Sequence, residues 1–297
     1  MKLFIRDEES GFALVTAVWL TLLLSLMAAG LMRLVLTSRQ TLSAFETELQ
    51  DKAIAESAVE IFMSRYFYNV EKQTYHDANF ELLDRQIFVT VAFESGKINI
   101  NRAKLPLLSA LFASKGLSSN DAISLASAII DWRDADQIPL ASGAEIDAYF
   151  EAGMGVSPRN GAFETVGEVR HLLGMTPELY ACLRPTLTVY SLDQTGAVDI
   201  PRAGVEVRNV LFWAYENDWL NEEWPSPSDP VFNASANVIS GLSGHALSLR
   251  VTVEGEVSKL YSQKVRFKTL SADIADYARL SPIRPAILDP VDSCAPN

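Results

Sequence analysis

Cysteine and histidine are scarce in this chain, with two and three residues among 297. Two thiols, Cys182 and Cys294, are too few for the disulfide framework of a small secreted domain; they could pair with each other, and neither sits in a Cys-x-x-Cys spacing. His76, His171 and His245 are scattered, with no His-x-x-x-His or His-Glu-x-x-His pair to hold a catalytic zinc. Nucleophile elbows, phosphate loops and Gly-x-Gly-x-x-Gly turns are also missing, which leaves enzymatic activity with little support. Basic side chains are outnumbered, 25 against 37 acidic, and a net charge of -12 repels phosphate backbones rather than releasing their counterions. Nucleic acid is therefore a poor partner. With 48% apolar and 21% charged residues, the chain is too apolar for disorder and long enough for two modest domains.

Charge disappears from Phe12 to Met32, and Gly and Pro disappear from Leu31 to Tyr75. The first absence describes a 21-residue apolar run which, as a helix, is on the order of 30 Å long and spans a bilayer's hydrocarbon core. Thr16, Thr21 and Ser25 lie in it, and the last two can bond back to their own helix. A secretory signal would end in a small-residue cleavage site, whereas this pattern continues beyond Arg33. Leu34, Leu42, Phe45, Leu49, Ala53, Val59 and Phe62 recur there at roughly helical spacing among charged residues. One helix of about 55 residues is expected, half in lipid and half packed on a folded domain.

Met1 to Gly11 reads MKLFIRDEESG, a short charged leader ending in Gly, and Phe12-Ala13-Leu14-Val15 follows at once. This resembles the class III leader of type IV pilins and pseudopilins. The resemblance implies cleavage after Gly11 by a prepilin peptidase and methylation of the new amine of Phe12. The family normally has Glu at the fifth mature position, and Thr16 stands there. A carboxylate in a fibre's apolar core is costly unless a cation meets it, and the family's Glu is thought to meet the neighbouring subunit's amine. Lacking that attraction, Thr16 suits the fibre's tip and resembles the K-type minor pseudopilins of type II secretion systems; the alternative is a neutral substitution.

Downstream, Gln86 to Phe93, Ala246 to Val253 and Leu260 to Leu270 read as strands, with a turn near Glu254-Gly255 between the last two. A helical block separates the first from the others. Its signals are Ser118 and Asp121 before an apolar run, Thr165 with Glu168 as a capping box, Gly174 as a stop and Thr176-Pro177 as a restart. The expected class is α+β: a long N-terminal transmembrane and amphipathic helix on an antiparallel sheet, with an inserted all-α domain. The expected divisions are leader 1–11, span 12–32, αβ domain 33–100, inserted α domain 101–190, αβ domain 191–280 and Pro-rich tail 281–297, extended or disordered. Val205 to Leu220 reads as a helix with Val207, Val210, Leu211 and Ala214 on one face; Trp213, Trp219 and Trp224 nearby fit core packing better than an exposed patch.

Two similar phrases flank the block, GKININRA at 96–103 and GAVDIPRA at 196–203. They resemble helix-hairpin-helix DNA-binding proteins, a reading opposed by the acidic body. The densest chemistry lies in IDWRDADQIPLASGAEIDAYF, residues 130–150. Asp131 and Asp134 share a helix face, Asp136 follows, and acids at a helix C-terminus oppose its dipole. Arg133 can compensate in part; a hard cation held by carboxylates and loop carbonyls, with Glu145 joining from beyond Ser142-Gly143, compensates better. Calcium suits such an irregular all-oxygen site, and the spacing is not that of an EF-hand. DWRDAD followed by GAE also resembles a K-type signature, and that family's α domain is associated with calcium, which implies Asp134, Asp136 and Glu145, with Asp131, as ligands. A solvated acidic turn is the alternative.

The resemblance implies a subunit that starts or caps a short periplasmic fibre pushing folded exoproteins through an outer-membrane channel. Implied partners are the I- and J-type minor pseudopilins, the major pseudopilin, the prepilin peptidase, the inner-membrane assembly platform and membrane lipid. Orientation, with the body in the periplasm, comes from the resemblance, because Lys2 and Arg6 are balanced by Arg33 and Arg39. Two other classes stay open: a DNA-uptake pilin, and a membrane-tethered glycosidase using Asp134 and Glu145.

Overall fold

The structure, a computed structural model, describes residues 10–68, 78–220, 224–225, 230, 245–255, 258–271 and 274–286. The chain divides into two compact units, residues 1–53 and 54–297. Helix α1 (Ser10–Tyr68) is one uninterrupted helix, as the lack of Gly and Pro after Leu31 predicts. Thr21 Oγ1 and Ser25 Oγ donate to the carbonyls of Val18 and Thr21, at 2.9 and 2.8 Å, so the hydroxyls of the apolar run are satisfied within the helix. From Leu14 onward α1 is long and apolar enough to cross a membrane.

After α1 come β1 (Ala78–Leu82), β2 (Arg85–Phe93), β3 (Ile98–Asn99), α2 (Leu105–Ala113), α3 (Ser119–Arg133), α4 (Ile146–Glu151) and α5 (Pro177–Leu183). Then follow β4 (Leu187–Thr188), α6 (Val205–Glu216), β5 (Ala246–Val253), β6 (Lys259–Ser271), β7 (Ile274–Arg279) and β8 (Arg284–Pro285). Strands β1, β2, β5, β6 and β7 lie side by side in that order, with β8 on β6, and every pairing is antiparallel. Alternation along β2 and β5 turns Ile87, Val89, Leu247, Leu249, Val251 and Val253 to one face. Against them packs a stripe of α1 at helical spacing, Ile54, Ala55, Ala58, Val59, Phe62 and Met63. Leu34, Leu42, Phe45 and Leu49, part of the same expected stripe, stay exposed.

The tail does not simply run free: Ser262 and Tyr261 pair with Arg284 and Pro285, and Ile283 is buried. Residues 287–297 of that tail, and the leader residues 1–9, lie outside the described residues.

The helical body has its own core, built on Leu107, Leu111, Phe112, Ile129, Trp132 and Tyr149. The expected caps form: Ser118 Oγ accepts from Asp121 N, Thr176 Oγ1 from Leu179 N, and Thr165 with Glu168 makes the capping box. Gly174, at φ +86°, ends its segment in the left-handed region. Helix α6 stops at Glu216, four residues before the expected Leu220, and Asp218 at φ +57° turns the chain. Val207, Val210, Leu211 and Ala214 are buried in the same core as α2 and α3, and the three tryptophans pack against it. This core therefore takes in residues on both sides of Tyr190, where the sequence places the end of the insertion.

The two similar phrases explain that reach, because they pack on each other reciprocally. A Cβ on Gly96 would meet the Arg202 carbonyl oxygen at 2.1 Å, and one on Gly196 would meet that of Arg102 at 2.2 Å. Buried Ile98 and Ile100 in the first phrase correspond in position to Val198 and Ile200 in the second, and each phrase leads into a core helix, α2 or α6. Arg133 donates to the carbonyls of Ile100 and Ala103, and Arg208 to those of Pro201 and Ala203, so the carbonyls of both phrases are engaged.

Glu94 joins this body to the sheet. It follows β2 directly and is fully buried. Its carboxylate takes hydrogen bonds from Thr188 and Ser248, an ion pair from Lys97 at 2.7 Å and another from Lys264 at 3.7 Å. Burial pushes the carboxyl up, but Lys97, Lys264 and the hydrogen bonds outweigh it and hold the pKa at about 2. One charged group thus ties the chain entering the body at Lys97, the short strand β4 at Thr188, and the two central strands β5 and β6 at Ser248 and Lys264.

Candidate metal centre

Helix α3 ends at Arg133, and Asp134 follows in extended backbone, φ -79° and ψ 174°, its N–H donating to the Ile130 carbonyl at 3.0 Å. That turn sends the chain through an exposed loop whose Asp136 Oδ1 accepts from Ile138 N at 2.8 Å and whose Asp136 carbonyl accepts from Asn160 Nδ2 at 2.6 Å. The loop returns at Glu145, the residue before α4. One carboxylate oxygen from each of Asp134, Asp136 and Glu145 lies within 4.8 Å of the others.

Asp131 stands beside this trio with a different partner. Its side chain is fully buried and accepts from Leu140 N at 3.2 Å through Oδ1, so it holds the loop from within. Gly143 makes this possible: a Cβ there would sit 1.8 Å from Asp131 Oδ2. Tyr149 forms the floor, fully buried on the inner side of α4, with its hydroxyl accepting from Leu173 N at 3.1 Å. Trp132 stacks on Phe163 at 5.7 Å and fixes the end of α3. Gly143 was present in the sequence signal only as a turn residue; its contact with Asp131 is a tertiary fact.

The electrostatics are only partly compensated: the charge of Arg133 and backbone N–H groups pull the carboxyls of Asp134 and Glu145 down less than burial and the neighbouring acids push them up. Arg133, the nearest cation in sequence, spends its guanidinium on the carbonyls of Ile100 and Ala103. Burial pushes up the carboxyls of Asp134 and Glu145, and the neighbouring acids push them further. Burial likewise raises Asp131, against the pull of the Leu140 and Ala144 N–H groups. Glu145 is 5% exposed, and both its carboxylate oxygens, with Oδ1 of Asp134, are buried without a hydrogen-bond partner. Unpaired buried carboxylate oxygens are costly, and a hard cation satisfies all of them at once. The donor set is all oxygen, which fits calcium and leaves softer metals without a thiolate or imidazole.

At the other end of the chain, Gly11 and Phe12 lie in the first turns of α1 and Phe12 is exposed. Thr16 Oγ1 donates to the Phe12 carbonyl at 3.1 Å, so the side chain at this position bonds within its own helix. Cys182 on α5 is disulfide-bonded, and Cys294 lies outside the described residues.

A family profile described as type II secretion system (T2SS), protein K, matches residues 67–192. A protein K of the type II secretion system from Klebsiella pneumoniae is 28% identical over 134 residues. That match takes in 41% of this chain and 41% of the relative, so the chain spans about two fifths of the curated relative it matches. Among solved structures, a chain in the crystal structure of the GspK-GspI-GspJ complex from enterotoxigenic Escherichia coli shares the fold, with a TM-score of 0.60 and 16% identity, over 84% of this chain and 99% of that one.

Proposed function

We propose, from the premise that this chain belongs to the type II secretion system protein K family, that it is the minor pseudopilin that starts and caps the fibre at its tip. The observation that carries this reading is α1: its apolar side chains from Phe12 to Leu49 are uncovered, whereas its continuation from Ile54 is committed to the sheet. The charge-free part of it, Phe12 to Met32, is apolar all round, a lipid or helix-bundle surface that lateral packing with neighbouring subunits would cover on leaving the membrane. The helical body set beside the sheet adds bulk that suits an end of the fibre, and Thr16 withholds the carboxylate that would call for a subunit's amine above it. I- and J-type minor pseudopilins are the natural partners, since the structural relative is in a complex with GspI and GspJ. The disulfide at Cys182 suits an oxidising compartment and so a periplasmic body.

This reading assigns the protein an assembly role and no catalytic step. A glycosidase would turn two carboxyl groups toward an open sugar groove, whereas both oxygens of Glu145 are buried. A DNA-uptake role is opposed by the charge of -12. Intact mass of the mature chain, from cells with and without the prepilin peptidase, tests the proposal. Loss of residues 1–11 with one added methyl group is expected in peptidase-competent cells; an uncut chain there would falsify it. Thr16→Glu is expected to change incorporation or fibre length without altering the folded body; unchanged fibres and secretion would remove Thr16 as a positional determinant.

Calcium at Asp134, Asp136 and Glu145 belongs to the same proposal, supported by the orphaned oxygens. Carboxyls whose native pKa is raised keep their protons longer when folded. Without a cation, stability is then lost as pH rises through the ordinary values of 3.8 and 4.5 toward the raised native ones. Saturating calcium is expected to raise the Tm of the full chain in detergent at pH 7 by roughly 5–10 °C, and by far less at pH 4. Glu145→Gln should lose most of the gain. A Tm at pH 7 that ignores both calcium and chelator removes the metal reading.

A further inference from the structure

Residues 134–156 carry five carboxylates and no Lys, Arg or His. Within the same stretch large apolar side chains face solvent: Ile138 is 76% exposed and Phe150 83%, with Leu140 and Ile146 also exposed. Ile146 and Phe150 are four apart on α4 and form one ridge, and exposed Asp147 and Glu151 form the ridge beside it. The ridge is not free to turn inward, because Tyr149, the residue before Phe150, is fully buried with its hydroxyl accepting from Leu173 N, which fixes the rotation of α4. Asp136 and Glu145, whose carboxylate oxygens lie within 4.8 Å of each other, bracket the loop that carries Ile138 and Leu140 and leads into α4.

An exposed apolar group rimmed by charge of one sign is the anatomy of a docking surface. We infer that the 136–145 loop and the Ile146/Phe150 ridge of α4 bind a basic amphipathic segment of a partner protein, and that the bound cation sets the loop for it; the second half of this inference rests on the calcium reading above. The charge selects the occupant. A divalent cation at the trio leaves three of the five negative charges, enough to steer and orient lysine or arginine side chains flanking an apolar face. The same charge repels an anionic lipid surface or a nucleic acid.

The test uses the full chain in detergent, with a fluorescein-labelled helical peptide of Leu and Lys at amphipathic spacing and a Leu/Glu counterpart, read by fluorescence anisotropy. Phe150→Ser removes the most exposed apolar side chain and leaves the buried core untouched. With calcium present, the Lys peptide is expected to bind the wild type at least ten times more tightly than Phe150→Ser, and the Glu peptide to bind neither. Equal binding of the Lys peptide to both proteins, or comparable binding of the Glu peptide, overturns the inference. So does sedimentation showing that the face pairs two copies of the chain, with Phe150→Ser monomeric. Melting of the same samples separates the two claims. If calcium raises Tm but chelation leaves peptide binding unchanged, the cation reading stands and its control of docking fails. If Tm does not move, the cation reading fails, and the wild-type against Phe150→Ser comparison still decides the docking surface.

Discussion

Glu94→Ala is expected to destabilise the folded part of the chain by about 3–5 kcal/mol at pH 7, the loss seen when one partner of a buried ion pair is removed and the other stays charged. The variant strands Lys264, whose ammonium burial already pushes toward neutrality and which only Glu94 favours as a cation. It also leaves the hydroxyls of Thr188 and Ser248 without their shared acceptor. Glu94→Gln should fall between, since an amide oxygen replaces part of the hydrogen bonding but none of the charge. The pH dependence has a definite sign. Glu94 is held at about 2 in the folded chain against 4.5 ordinarily, so its contribution is complete above pH 4.5 and fades as pH falls toward 2. Denaturant midpoints of wild type and Glu94→Ala should therefore converge in that window. Equal midpoints at pH 7 would show that the body is held on the sheet by other contacts.

Gly196→Ala should be the more damaging of two matched glycine substitutions. A Cβ at either Gly96 or Gly196 collides with a backbone carbonyl, 2.1 and 2.2 Å away, and neither carbonyl can swing aside as a side-chain tip could. Such overpacking costs about 1–3 kcal/mol. Gly196 also sits at φ +80°, which adds about 1–2 kcal/mol for a residue with a side chain. Because the two phrases press on each other reciprocally, the double variant is expected to lose less than the sum: once one carbonyl has been pushed away, the facing glycine has room. Urea titrations of the two singles and the double read this directly. Additive losses would mean that the two contacts are independent.

Much of this architecture was legible because local chemistry decides it. The long helix follows from the absence of breakers, strands β2, β5 and β6 from alternation, and the ends of the short helices from Ser118, Thr165, Gly174 and Thr176. Charge and the helix dipole group Asp131, Asp134, Asp136 and Glu145, the family resemblance narrows them chiefly to Asp134, Asp136 and Glu145, and the fold does bring the oxygens of those three together. Strand β1 escaped notice because its turn uses Leu83 and Asp84, both at positive φ, in place of the glycine or asparagine that announces such a turn. Asp131 read like the other acids; only the fold shows its carboxylate spent on the Leu140 amide. Glu94 looked like the polar end of a strand, since nothing nearby in sequence except Lys97 reveals partners 94 and 154 residues away at Thr188 and Ser248. The reach of the helical core beyond Tyr190 was hidden for the same reason: the kinship of the two phrases is visible, their contact is not.

Strands β2 and β5 are nearest neighbours, with Phe93 directly opposite Leu247. Where an ordinary hairpin has a few residues, this one carries about 150. Zipping these strands in an extended chain would mean closing a very large loop, an entropic barrier that local pairs such as β5 with β6 do not face. A body that has already collapsed brings Glu94 close to the start of β5 and shortens the search. The order of events is then set by topology: the helices nucleate early, the central strand pair registers late, and a variant that slows the body's collapse should delay completion of the sheet even though it touches no strand.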